Sequence, residues 1–203
     1  MIIFQNISIK FNDKIILENF NLNIKTGEKI LIAGISGKGK TTLLKILLGF
    51  TLPNSGEIFV DNIKLNEQNI NIIRSKIAYM PQSTPFLNIK VEKLIYTIFN
   101  YKQNLNIKVE MVKLIKILKE FDLDSSILSK DINQLSGGEK QRLAFVILIL
   151  LDRKIWILDE ITSSLDQNMK EKVTNYILKT NKTVVLVSHD KTLALNNFRT
   201  VIL

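Results

Sequence analysis

The chain of 203 residues contains no cysteine and a single histidine, His189. Without thiols there can be no disulfide framework, thiolate nucleophile or Cys-based metal site. One histidine also excludes a metal cluster of the usual His/Cys type. The lack of cysteine suits a reducing compartment. Long apolar runs are missing too. The longest, residues 143–151, falls well short of the roughly 18 apolar residues expected of a membrane-spanning helix. Asp152, Arg153 and Lys154 follow it at once, so it reads as the end of a buried helix. Residues 1–6 lack the basic start of a signal peptide. Together these absences predict a chain that is soluble by itself and reaches a membrane only through a partner.

What is present is ordinary in bulk. A hydrophobic fraction of 46% with 23% charged residues suffices for one globular domain with a buried core. The net charge of +9 raises nucleic acid, anionic lipid and ATP as reasons for a basic surface. The lysines are scattered, however, with no run of five or six. The chain is also rich in Ile, Asn and Lys throughout, so biased residue usage accounts for the excess.

Hydrophobic patterning organises the chain. Residues 2–10 alternate apolar and polar as a half-exposed strand does. Residues 15–17 and 21–24 read as two further short strands. Residues 29–33 form a short apolar strand that feeds a glycine-rich loop, and residues 41–50 carry leucines and isoleucines at helical spacing. Strands follow at 57–60 and 77–80. From about 87 to 128 apolar residues recur at helix spacing between lysines, as in an inserted helical sub-domain. A helix at 139–151, a strand at 155–158, a helix at 169–179 and a strand at 183–187 complete the alternation. Strands alternating with helices predict an α/β fold with a mainly parallel, doubly wound sheet.

Three local motifs carry chemistry. Gly34-Ile35-Ser36-Gly37-Lys38-Gly39-Lys40-Thr41-Thr42 obeys the G-x-x-x-x-G-K-[ST] rule between a strand and a helix. Such a loop curls backbone N–H groups around phosphate oxygens. Lys40 is placed to meet the β- and γ-phosphates, and the Thr41 hydroxyl to ligate Mg²⁺. Asp159 ends an apolar strand, where a carboxylate can hold Mg²⁺ through water. Glu160, one residue on and pointing the other way, is placed to polarise an attacking water. Leu135-Ser136-Gly137-Gly138-Glu139 begins a helix with hydroxyl and backbone donors, an anion-binding N-terminus.

In this order, the three motifs make the chain resemble the ATPase subunit of an ABC (ATP-binding cassette) transporter over nearly its whole length. The resemblance implies a P-loop NTPase fold with a small N-terminal antiparallel β sub-domain and an inserted helical sub-domain. Residues 1–82 and 140–203 would form the nucleotide-binding core, and 83–139 the helical sub-domain carrying the signature motif. It implies ATP and Mg²⁺ as cofactors. Catalysis would fall to Glu160, His189 and Lys40, and Mg²⁺ binding to Thr41, Gln82 and Asp159. Nucleotide contacts would come from Phe11, the whole loop from Gly34 to Thr42, Gln82, Ser136, Gly137, Gly138 and Asp166. Ser136 and Gly138 would meet the γ-phosphate of ATP held by a second subunit, so that two chains pack head to tail. His189 matches the switch histidine of the family, Gln82 the Q-loop, and Ser163-Ser164-Leu165-Asp166 the D-loop that lines the dimer seam.

The chain departs from the family pattern in several places. Lys38 stands where serine is usual, Phe11 where tyrosine is usual, and Ile161 in place of a proline. Val146-Ile147 replaces an Ala-Arg pair. Residues 77–82 with Pro85-Phe86-Leu87 resemble exporter-type cassettes. The partners implied are transmembrane subunits and a second ATPase subunit, at the cytoplasmic face of a membrane. Two alternatives accompany this reading. One is a soluble ABC ATPase acting on nucleic acid or ribosomes, disfavoured by the single cassette and the short insertion. The other is a domain of a longer exporter polypeptide.

Overall fold

The computed structural model describes residues 1–12, 14–35, 37–188 and 198–203. An antiparallel sheet opens the chain with β1 (Ile2–Phe11) and β2 (Lys14–Ile24), later joined by β4 (Ser55–Val60) and β5 (Ile63–Lys64) in the order β2-β1-β4-β5. The second sheet is parallel. Its strands are β3 (Lys29–Ala33), β6 (Ile77–Met80), β7 (Ile155–Asp159), β8 (Thr183–Val187) and β9 (Arg199–Ile202), in the order β6-β7-β8-β3-β9. The helices are α1 (Lys40–Leu47), α2 (Ile70–Ser75), α3 (Val91–Phe99), α4 (Met111–Glu120), α5 (Gly137–Leu151) and α6 (Gln167–Lys179).

Side-chain alternation along the central strands builds two cores, because successive residues of a strand face opposite sides. Leu31 of β3, Trp156 and Leu158 of β7, and Val184 and Leu186 of β8 face a core shared with α3, α4, α5 and α6. Ile30, Ile32, Ile155, Ile157, Val185 and Val187 face a second core shared with α1 and the antiparallel sheet. Strands buried on both faces read as continuous apolar runs, as these do.

Two of the expected strands are one. Residues 15–17 and 21–24 belong to the single strand β2, which pairs with β1 through several register shifts. Asn6 (φ 50°) and Asn19 (φ 48°) take left-handed backbone at these irregularities, a conformation that asparagine tolerates. Asn6 and Asn21 brace the shift by mutual hydrogen bonds of 2.9 and 3.0 Å. Bulges break the two-residue period, so the pattern reads as two pieces.

The helix α5 starts two residues earlier than the periodicity suggests. Ser136 is its N-cap: its Oγ accepts from Glu139 N (3.1 Å), while Glu139 Oε2 accepts from Ser136 N (2.8 Å). This reciprocal cap satisfies two backbone donors at the helix end. Residues 145–150 are all buried, which marks α5 as a central helix rather than an amphipathic surface one. Phe145 meets Phe121, Trp156 and Tyr176 edge to face at 5.1–6.1 Å between ring centroids. The aromatic group ties α5 to β7 and α6 and so fixes where the N-terminus of α5 emerges.

Candidate active site

The parallel sheet sets the site's position. In-register pairing places Met80 beside Leu158, Asp159 beside Val187 and Ile32 beside Val187. The segments that leave β3, β6 and β7 therefore emerge at the same carboxyl edge of the sheet, with β8 between β7 and β3, where open α/β folds bind ligands. Gly37, Gly39, Lys40, Thr41, Thr42, Gln82 and Glu160 line one pocket there, of about 290 Å³. Five residues of the glycine loop, Gln82 and the candidate base Glu160 thus share one cavity.

The loop is shaped by close contacts. Gly39 has φ 91° and is the N-cap of α1; a Cβ there would lie 2.5 Å from Ile16 Cγ2 of β2. Gly34 has φ 150°, and its Cβ would lie 2.7 Å from the carbonyl oxygen of Leu203. Lys40, 6% exposed, donates from Nζ to the carbonyls of Gly34 (2.9 Å) and Ile35 (3.1 Å). Its ammonium is thereby held across the mouth of the loop, where a phosphate oxygen can take over as acceptor. Ile35 and Lys38 are exposed. Ser36 lies outside the described residues.

Asp159 is 5% exposed at the end of β7. Burial pushes its carboxyl up from the usual range, and the neighbouring charge of Glu160 adds to this; Lys40 and Lys45 oppose it. Asp159 and the phosphate-loop lysine thus share one electrostatic environment. Glu160 does not continue the strand. Its φ of 52° turns the chain out of β7, and its N–H donates to Val187 O at 2.9 Å. That left-handed turn, rather than simple alternation, separates the two carboxylates. Tyr79 on β6 also feels Asp159: burial first, then that charge, raises its phenol.

Phe11, 48% exposed, pairs with Lys14 at the closed end of the β1–β2 hairpin. The contact of Ile16 with Gly39 brings that hairpin against the phosphate loop. An exposed ring there suits stacking on a base.

The signature residues lie apart from this pocket. Ser136 and Gly137 are exposed and Gly138 half-buried at the start of α5, and none of them lines the loop cavity. They adjoin Ser164 of the segment 163–166 instead. Gln141, buried on the second turn of α5, accepts from Ser164 N at 3.2 Å, and a Cβ on Gly138 would be 3.4 Å from Ser164 O. Asp166 caps α6, its Oδ1 accepting from Met169 N at 2.9 Å. The Gln141–Ser164 tether is invisible in sequence, because it joins residues 23 apart with no local signal. His189 lies outside the described residues.

An all-oxygen set suits Mg²⁺. Among the described residues no group of three His, Cys, Asp or Glu side chains could hold a metal ion. Thr41, Gln82 and Asp159 could therefore hold an ion only together with oxygens from a bound phosphate or water. No helix among the described residues is long and apolar enough to cross a membrane.

Comparison with known proteins agrees with this geometry. The sequence profile of the family described as "ABC transporter" matches residues 17–163. The energy-coupling factor transporter ATP-binding protein EcfA of Aster yellows witches'-broom phytoplasma is 36% identical, over 94% of this chain and 70% of its own. The probable iron export ATP-binding protein FetA of Escherichia coli is 35% identical, over 92% of this chain and 84% of its own. Among solved structures, the ATP-binding cassette MJ0796, a dimer in a post-hydrolysis state bound to ADP and Pi, superimposes with a TM-score of 0.85. That match has 31% identity and covers 100% of this chain and 94% of MJ0796. With its P-loop NTPase architecture, this chain is an ATP-hydrolysing cassette and belongs to the ABC transporter family.

Proposed function

We propose that this chain powers a membrane transporter, most consistently an exporter, by closing and opening a head-to-tail pair of cassettes around two ATP molecules. One observation carries the reading. The phosphate loop, Gln82 and Glu160 line a single pocket, whereas Ser136 and Gly138 present their donors elsewhere on the surface. A signature N-terminus that its own pocket does not include is useful to the nucleotide of a facing subunit. MJ0796 is itself described as a dimer.

Each residue has a distinct task in this reading. Phe11 stacks on the base, and backbone N–H groups from Gly34 to Thr42 cradle the phosphates. Lys40 exchanges its two loop carbonyls for β- and γ-phosphate oxygens. Thr41, Gln82 and Asp159 would hold Mg²⁺ together with phosphate or water oxygens, and the ion would supply charge neutralisation at the phosphates. Glu160 accepts a proton from the attacking water and aligns it with the γ-phosphorus. His189 and the opposing Ser136 and Gly138 contact the γ-phosphate, so that most of the rate gain is electrostatic.

Residues 83–139 form the sub-domain that meets the membrane subunits, and 1–82 with 140–203 the nucleotide core. An apolar groove of about 190 Å³ between the two, lined by Tyr79, Pro81, Phe86, Ile98, Ala144 and Leu151, suits a short apolar segment of such a subunit. Gln82 follows the same stretch, which links docking to the pocket. The working place is the cytoplasmic face of the membrane, where ATP is. The name of FetA includes iron export, and residues 77–87 follow the exporter pattern, which favours export over import.

The test is recovery of tagged Glu160→Gln protein with Mg-ATP from detergent-solubilised cells of the source organism. An integral membrane protein in near-equal amount is expected. Ribosomes, nucleic acid or soluble proteins alone would contradict the transporter reading.

A further inference from the structure

Lysines scattered along the sequence gather around α3 and α4. Residues 90–119 hold seven lysines against two glutamates, a net +5 of the chain's +9. Lys93, Lys108, Lys113, Lys116 and Lys119 are exposed, and among the described residues none of them enters an ion pair.

The helix α4 carries two stripes at helical spacing. Leu114, Ile117 and Leu118, with Phe121 just past the helix end, form the inner stripe and are all buried. Val112, Ile115, Lys116 and Lys119 form the outer one, with the same i, i+3, i+4, i+7 spacing. Val112 is 81% and Ile115 41% exposed. Met111, also exposed, lies beside this stripe and lines an apolar recess of about 560 Å³ between α3 and α4. Tyr96, Phe99 and Leu105 line the recess too, together with Lys90 and Lys93, and Tyr96 and Leu105 are exposed. One face thus interleaves aliphatic and tyrosine side chains with cations. Apolar chains exposed together mark a surface that binds something.

The mixture selects the partner. A nucleic acid would use the cations and leave Val112, Ile115 and Met111 in water. An anionic bilayer uses both kinds of side chain. Its headgroup phosphates attract the ammonium groups, and its acyl chains take the apolar ones. Lysine stems lie along apolar surface with the charge at headgroup level, where tyrosine is also favoured. We propose that the outer stripe of α4, with the recess beside it, binds the anionic surface of a lipid bilayer. The inference goes beyond the transporter reading, because the contact is this chain's own and needs no membrane subunit.

The experiment is co-sedimentation of the full chain with vesicles of phosphatidylcholine alone or of equimolar phosphatidylcholine and phosphatidylglycerol, in low and high salt. Binding is expected to the anionic vesicles and to weaken in high salt. The triple variant Lys113→Gln, Lys116→Gln, Lys119→Gln should bind them roughly 100-fold less, at about fivefold per lysine near the surface. A control with the same loss of charge on exposed sites elsewhere, Lys25→Gln, Lys154→Gln, Lys179→Gln, should lose less than about threefold, because charges beyond the Debye length are screened. Val112→Gln with Ile115→Gln should cost at least about tenfold through lost apolar burial. Thermal unfolding, read alongside, should show every variant folded. Absence of binding to both vesicles, equal binding to both, or an equal loss in the control would overturn the proposal. So would binding that needs the lysines but is indifferent to Val112 and Ile115, which would assign the patch to a soluble polyanion such as nucleic acid.

Discussion

Ser136 has two tasks that substitution can separate. Its Oγ accepts from Glu139 N at 3.1 Å and so caps α5, while in the proposed dimer its O–H donates to a phosphate oxygen of the facing subunit. Ser136→Ala removes both. Loss of an N-cap acceptor costs about 1 kcal/mol. The other half of the cap, Glu139 on Ser136 N, remains, so a larger loss is not expected. At ~2.1 cal/mol/K per residue, unfolding of this chain has an entropy near 0.4 kcal/mol/K, and 1 kcal/mol lowers the melting midpoint by about 2–3 °C. Ser136→Asp restores a capping acceptor at the positive end of the helix, so its stability should stay within about 0.5 kcal/mol of the parent. Its carboxylate, however, repels phosphate. The two variants should thus rank in opposite orders: alanine lower in urea or thermal unfolding, aspartate lower in ATP-driven dimerisation and steady-state hydrolysis, by at least about tenfold. An aspartate variant that dimerises and turns over like the parent would refute the assignment of Ser136 to an anion.

Three further outcomes follow from the pocket. Asp159 has a native carboxyl pushed above its unfolded value, so its charged form destabilises the metal-free fold, and that stability is lost as pH rises from the ordinary carboxylate range through the raised native value. Asp159→Asn should therefore raise the thermal midpoint of the metal-free protein at pH 7 and flatten its decline over that window; a lower midpoint would count against this. Gly39→Ala should cost ~1–2 kcal/mol in backbone strain alone, and should weaken ATP binding by more than about tenfold as Ile16 is displaced; calorimetric titration with unchanged affinity would contradict the role of that backbone. Phe11→Ala should weaken ATP binding by roughly 5–100-fold through lost stacking, and Phe11→Tyr by less than about twofold, both read by nucleotide titration; equal affinities in all three would remove Phe11 from the site.

Much of this architecture is legible along the chain because its signals are local. The loop from Gly34 to Thr42, the run ending at Asp159 and the start of α5 each declare themselves within ten residues. The parallel sheet is legible through short apolar runs between helical patterns. What the sequence hides is non-local. The two-residue strand β5, the one-and-a-half-turn α2 and the edge strand β9 are too short or too exposed to show a period. The unity of β2 is masked by bulges that asparagines accommodate. The packing of Ile16 on Gly39, the hold of Gln141 on Ser164 and the left-handed turn at Glu160 depend on chain segments meeting in space. These contacts, rather than the motifs alone, bring Phe11's hairpin to the phosphate loop and tie the start of α5 to Ser164.

The central claim is that ATP is hydrolysed by a pocket that one chain begins and a second completes, with Glu160 as the base. Steady-state Mg-ATP hydrolysis measured against protein concentration, for the parent and for Glu160→Gln with nucleotide binding followed alongside, tests it most directly. The account predicts turnover per chain that rises with concentration, and a loss of at least ~100-fold in Glu160→Gln with ATP still bound. Turnover per chain that is independent of concentration, together with normal hydrolysis by Glu160→Gln, would contradict it.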